Sequence, residues 1–205
     1  TALKTVTFEE GSACEVVTGF RNCKSITTVV LPEGITTIGY QAFAGCTNLT
    51  NINIPSTVTS IESYAFQNCT SLESIKIPEK VTYLGDYVFY NCSSLEKVEF
   101  DENNQLTAIN TYTFYRCGIK EINLPSTVTT IGSYAFYQCK KLVEFDIPQE
   151  LTTINNNAFY GCSELVTLNI PENHNIQSIA TNAFNSCPKL TTKISASRCG
   201  SPMYG

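Results

Sequence analysis

One pattern dominates the chain: a phenylalanine followed three residues later by a cysteine, eight times over. Phe20, Phe43, Phe66, Phe89, Phe114, Phe136, Phe159 and Phe184 stand 23, 23, 23, 25, 22, 23 and 25 residues apart, and Cys23, Cys46, Cys69, Cys92, Cys117, Cys139, Cys162 and Cys187 keep the same intervals. A period of this length restricts the fold severely, because one unit has too little apolar surface to fold alone and must stack on its neighbours. Aligned on these residues, the unit reads L-x-x-I-x-I-P-x-x-V-T-x-I-x-x-Y-A-F-x-x-C-x-x. One copy shows it in Leu49, Ile52, Ile54, Val58, Ile61, Ala65, Phe66 and Cys69.

Within I-x-I the side chains alternate, which is the period of a strand with one face buried. A proline cannot donate to a ladder, so Pro32, Pro55, Pro78, Pro125, Pro148 and Pro171 end that strand. V-T-x-I has apolar residues three apart and A-F-x-x-C has the spacing of one helical turn. The expected fold is therefore an α/β, right-handed solenoid of about eight ~23-residue repeats, with a parallel sheet on one face and short helical turns on the other. At a strand spacing of ~4.8 Å, eight rungs span on the order of 40 Å. No linker interrupts the series, so residues 1–205 read as a single domain. Residues 1–22 form a degraded first repeat, and 188–205 form a C-terminal cap or tail in which Lys193 takes an apolar strand position.

These residues closely resemble the BspA-like branch of the leucine-rich repeats, whose unit carries the L-x-x-I-x-I-P and A-F-x-x-C signatures. The resemblance covers about residues 3 to 194. It implies an extracellular or cell-surface protein, of bacterial or parasitic-protist type, that takes part in adhesion or host-protein binding. The strand-like opening LKTVTF suggests a fragment of a larger surface protein. Fold alone names no ligand, so function is argued from exposed positions.

Composition excludes other classes. Of the 205 residues 42% are hydrophobic, with eleven Phe and eleven Tyr, which is ample for a core and wrong for disorder. A net charge of −5 without any Lys/Arg run argues against nucleic acid or anionic lipid as partner. No apolar run approaches the ~18 to 20 residues of a membrane helix, and no export signal opens the chain. No constellation of nucleophile, acid and base appears, nor a phosphate-cradling glycine loop, so neither an enzyme nor a cofactor is expected.

The ten cysteines admit four readings. Metal binding wants short spacings such as C-x-x-C and further histidines beyond His174. A catalytic thiol wants one special environment, whereas eight equivalent cysteines have eight similar ones. Identical positions on adjacent rungs lie ~4.8 Å apart with parallel Cβ vectors, slightly too wide and badly aimed for a disulfide. A small buried side chain lining a tight corner is the expectation. Cys14 and Cys199 break the register, leaving open local bridges, Cys14 with Cys23 or Cys199 with Cys187, or surface thiols.

Two departures from the repeat stand out. After Phe100 and Ile170 the link is two residues longer, reading DENNQ and PENHN. These are recognition loops, weak calcium sites through Asp101, Glu102 and Glu172, or simply tolerated insertions with His174 in solvent.

On the sheet, two outward columns are expected: Thr28, Asn51, Ser74, Lys97, Glu121, Glu144 and Thr167, beside Val30, Asn53, Lys76, Glu99, Asn123, Asp146 and Asn169. A flat array of varied polar residues suits a protein ligand, and Glu99, Glu121, Glu144 and Asp146 would favour a basic one. Tyr64, Tyr87, Tyr112 and Tyr134 form a further column, as do Tyr90, Tyr115, Tyr137 and Tyr160. The latter four are secondary candidates for a protein or glycan, or else pack to stabilise the stack. The expected function is a non-enzymatic module binding an extracellular or cell-surface protein on a concave sheet. The alternative is a structural spacer without a ligand.

Overall fold

The computed structural model describes residues 3–9 and 13–192. Each unit contributes two short parallel strands. The first series comprises Thr5–Thr7 (β1), Thr28–Val30 (β3), Asn51–Asn53 (β5), Ser74–Ile77 (β7), Lys97–Phe100 (β9), Glu121–Ile122 (β11), Glu144–Asp146 (β13) and Thr167–Asn169 (β15). The second comprises Val16–Val17 (β2), Thr37–Ile38 (β4), Ser60–Ile61 (β6), Tyr83–Leu84 (β8), Ala108–Ile109 (β10), Thr130–Ile131 (β12), Thr153–Ile154 (β14) and Ser178–Ile179 (β16). Eight strands in each series make a solenoid of about seven turns. The first series pairs in the order β1-β3-β5, β7-β9-β11 and β13-β15, and the second as β2-β4-β6-β8 and β10-β12-β14-β16.

The V-T-x-I segment is thus a strand and not a helical turn. Its isoleucine points inward, as Ile38, Ile61 and Ile131 show with no exposure. Its threonines bond upward: the hydroxyls of Thr59 and Thr152 donate to the carbonyls of Thr36 and Thr129, at 3.3 and 3.0 Å.

The expected helical turns are also absent, for no helix occurs among the described residues. The reason lies in the A-F-x-x-C corner. Alternate amides serve different acceptors: Ala65 and Cys69 donate within the rung, to Glu62 and Phe66 (3.2 and 3.1 Å), while Tyr64, Phe66 and Asn68 donate to Asp86, Val88 and Tyr90 of the next (3.0, 2.9 and 2.8 Å). Half of the donors therefore tie rung to rung, as in a sheet. Tyr64 and Asn68 hold φ of 62° and 59°, left-handed backbone that interrupts any helical run.

Tyrosine is an expensive choice there, since left-handed backbone costs a side-chain-bearing residue about 1–2 kcal/mol. Stacking offsets it. Tyr64, Tyr87, Tyr112 and Tyr134 all have positive φ and lie face to face at 4.5–4.6 Å.

Inside, the phenylalanines form a continuous stack from Phe20 to Phe184 with centroids 5.0 to 5.5 Å apart. One hydrophobic cluster runs from Val6 to Phe184. Lys193, the residue assigned to a cap, and Cys199 lie outside the described residues.

The cysteine is more than a small filler. From Cys46 to Cys187 each ladder thiol donates to the carbonyl of the phenylalanine one rung earlier, as Cys69 does to Phe43 (3.2 Å), Cys92 to Phe66 (3.1 Å) and Cys117 to Phe89 (3.1 Å). Phe43 O already accepts the Cys46 amide at 3.1 Å, so the thiol fills its second lone pair. Serine could donate too, but its stronger hydration would raise the cost of burial. Cys23 is a thiol, so the bridge considered for it with Cys14 is not formed, while the one considered between Cys187 and Cys199 involves a residue outside those described.

Candidate functional site: the face of the first ladder

The two expected outward columns are present. Asn51, Asn53, Ser74, Lys76, Lys97, Glu99, Glu121, Asn123, Glu144, Asp146 and Asn169 are exposed, and Thr167 is half-buried. Parallel register sets them side by side, Ser74 beside Lys97 and Lys76 beside Glu99, then Lys97 beside Glu121, Glu144 beside Thr167 and Asp146 beside Asn169. Inward-pointing Ile75, Val98 and Ile122 between them are buried, which fixes the outward set.

These residues are not equally free to meet a ligand. Asn53 is engaged with its neighbouring rung: its amide accepts from Leu31 N at 2.9 Å and donates to Leu31 O at 3.0 Å. Asn169 donates to Asp146 at 2.6 Å. The four-membered acidic patch shrinks to three, because Glu99 pairs with Lys97 at 2.5 Å. Lys76 pairs with Asp101 at 2.6 Å, and that hydrogen bond raises the lysine's pKa. Glu121, Glu144 and Asp146 have no lysine or arginine partner among the described residues. At the flank of the same ladder, Lys120 and Lys141 bind Glu96 at 2.6 and 2.7 Å, and their hydrogen bonds pull its carboxyl down to about 2.

Three shallow depressions lie here. One of about 470 Å³ is lined by Lys76, Lys97, Phe100, Glu121 and Asn123, among others. A second of about 330 Å³ lies along the 101–105 insertion, and a third of about 150 Å³ lies between β11 and β13.

The insertions are anchored to the body. Asn104 is buried, donates to Pro78 O and Val81 O at 2.7 and 3.1 Å, and accepts from Leu106 N at 3.0 Å. His174 takes the equivalent position in the second loop: it is half-buried rather than solvated, and its Nδ1 accepts from Ile176 N at 3.3 Å, while Asn175 donates to Glu150 at 2.9 Å and Asn173 O accepts from Gln149 at 2.7 Å. With Asp101 held by Lys76, the carboxylates considered for calcium are not brought together. Among the described residues no group of three or more His, Cys, Asp or Glu side chains converges on a point.

The tyrosines stack on each other. Tyr90, Tyr115, Tyr137 and Tyr160 lie 4.5 to 5.0 Å apart with nearly parallel planes. A sugar stacks on an open ring face, and here stacked neighbours occupy both faces of Tyr115 and Tyr137 and one face of Tyr90 and Tyr160. The Arg116 guanidinium lies over the Tyr115 ring, 5.3 Å from its centroid, while its Nε donates to Gln138 at 2.9 Å.

The ladder thiols are unsuited to nucleophilic chemistry. Burial pushes Cys46 up to about 11 and Cys92 and Cys139 up to about 12, so all remain protonated at neutral pH. Cys187 differs: half-buried in the last described rung, it is lowered by a hydrogen bond from Cys162.

Short parallel strands stacked at a period of about 23 residues, with repeated leucine and isoleucine inside, define a leucine-rich repeat solenoid. A sequence model of the BspA type leucine rich repeat region matches residues 17–107 and 103–198 in six copies, and the chain belongs to that family. No curated protein matches the sequence significantly. Among solved structures, a T. pallidum leucine-rich repeat protein is 28% identical with a TM-score of 0.55, over 92% of this chain and 72% of that one. A leucine rich cell surface protein from Faecalibacterium prausnitzii is 26% identical with a TM-score of 0.57, over 83% and 67%. The pneumococcal vaccine antigen PcpA shares the fold at 19% identity, with a TM-score of 0.57 over 93% and 63%.

Proposed function

We propose that this chain is a non-enzymatic, cell-surface binding module that holds a protein partner against the exposed face of its first ladder. The observation that carries this reading is a contrast within each strand. The buried positions repeat one chemistry from rung to rung, whereas the flanking exposed ones run through Asn51, Ser74, Lys97, Glu121 and Glu144. A rigid backbone with a varied surface is preorganised for a specific partner, because little ordering cost remains at binding. The F. prausnitzii relative, described as a cell surface protein, supports the extracellular setting.

The test is binding of the purified chain to an array of extracellular-matrix proteins, plasma proteins and glycans, with Glu121→Lys/Glu144→Lys alongside. A salt-sensitive protein hit lost in the variant is the expected result. Silence across the array would instead favour a spacer, in which the stacked ladders only hold other parts apart.

A further inference from the structure

The geometry points to a peptide-binding trough where two irregular rungs meet. After Phe100 the link is two residues longer than the repeat, and in the next unit the link after Cys117 is one shorter, Cys117-Gly118-Ile119 against Cys69-Thr70-Ser71-Leu72. The shortening brings Gly118 against the preceding rung, where a Cβ would stand 2.5 Å from Ser93 O. β11 is only two residues long, and the paired run that starts at β7 ends with it.

The three depressions join at this place. The first shares Phe100 and Asn123 with the one along the insertion, and Glu121, Ile122 and Asn123 with the one against β13. Phe100 and Leu124 line the trough half-buried, whereas Ile77 and Ile147, at the same position of flanking rungs, are buried. One end is therefore apolar. At the other, Glu121, Glu144 and Asp146 stand exposed on two successive rungs; Lys97, beside Glu121 in register, is paired with Glu99 at 2.5 Å, and none of the three carboxylates has a salt bridge among the described residues.

The occupant that fits is an extended segment of a partner protein carrying an apolar residue followed by an arginine. The apolar side chain covers Phe100 and Leu124. The arginine stem crosses the β11 rung beside the exposed Asn123, and its guanidinium donates paired hydrogen bonds to the carboxylates. This rests on the protein-binding reading and adds which part of the face binds and what chemistry it selects.

The experiment is selection of a random nine-residue displayed peptide library on the full chain. Synthetic winners are then titrated against the parent, Glu121→Gln/Glu144→Gln and Leu124→Ser, each checked by thermal melting. The expected result is enrichment of apolar-plus-arginine peptides whose affinity falls about tenfold in the double variant, and similarly when citrulline replaces arginine. Winners without a basic residue, winners indifferent to these changes, or no winners would overturn the trough. None of these three results touches the broader reading, which the protein array decides.

Discussion

The stretch from Phe43 to Phe89 and the stretch from Phe100 to Leu124 are built from the same unit and do different things. In the first, successive units keep a spacing of 23 residues, and ring stacking, thiol bonds and cross-rung amides recur in register. In the second, a longer link is followed by a shorter one. The phenylalanine stack passes through undisturbed, with Phe89 and Phe114 at 5.5 Å, yet the outer surface opens into a trough. Interior columns keep their register, because each position is packed against its counterparts above and below, and they vary only in side chain, as where Thr113 takes the place of Ala65 and Ala135 or Phe145 that of Val98 and Ile122. Links on the surface absorb changes in length, and in doing so they create a part of the first ladder with both apolar and acidic character.

The comparison breaks most readily at the stack. Phe89→Ala opens a cavity in the middle of the column and should cost ~3–5 kcal/mol. Phe20→Ala, at a half-buried end, should cost roughly 1–2 kcal/mol. Equal losses in urea titrations would show that the interior is not packed as described. Gly118→Ala comes next, at about 1–3 kcal/mol, because the added methyl meets backbone that must move. A neutral result would remove Gly118 as the cause of the trough.

The thiol column gives a smaller effect with a pH signature. An unfolded thiol ionises near 9.0, whereas burial holds Cys92 and Cys139 near 12. Both folded values are raised, so their contribution is complete below about pH 9 and is lost as pH rises from there towards 12. Cys92→Ala should cost about 1–2 kcal/mol at pH 7 and make the alkaline loss shallower. Denaturant melts from pH 7 to 11 that fall in parallel for parent and variant would contradict this. The smallest effect on the fold belongs to Glu121→Lys/Glu144→Lys, which changes only exposed side chains and should leave the melting curve unchanged while abolishing binding.

Much of this arrangement was legible in the sequence. The Phe and Cys spacings set the stack, and the alternation in I-x-I placed Asn51, Lys97 and Glu121 outside. What escaped has physical causes. Two-residue strands such as Ser60–Ile61 are too short to show a period, and only their pairing reveals them. The corner looked helical because A-F-x-x-C has helical spacing, and tyrosine gives no hint of left-handed backbone. The interval of 22 between Phe114 and Phe136 was visible, but a single missing residue signals nothing until Gly118 is seen against Ser93. The ion pairs that remove Glu99 from the acidic set depend on side-chain placement across two positions of one strand. Sequence spacing does not fix which carboxylate a lysine takes.

The measurement that tests the central claim most directly is hydrogen–deuterium exchange of the chain with and without a partner identified on the protein array. The account predicts added protection in the segments 97–105, 119–124 and 144–146, on the first ladder at the irregular rungs, and little change at the tyrosine corners around 64–68 and 134–138. Protection centred on those corners, with the first ladder unaffected, would contradict it.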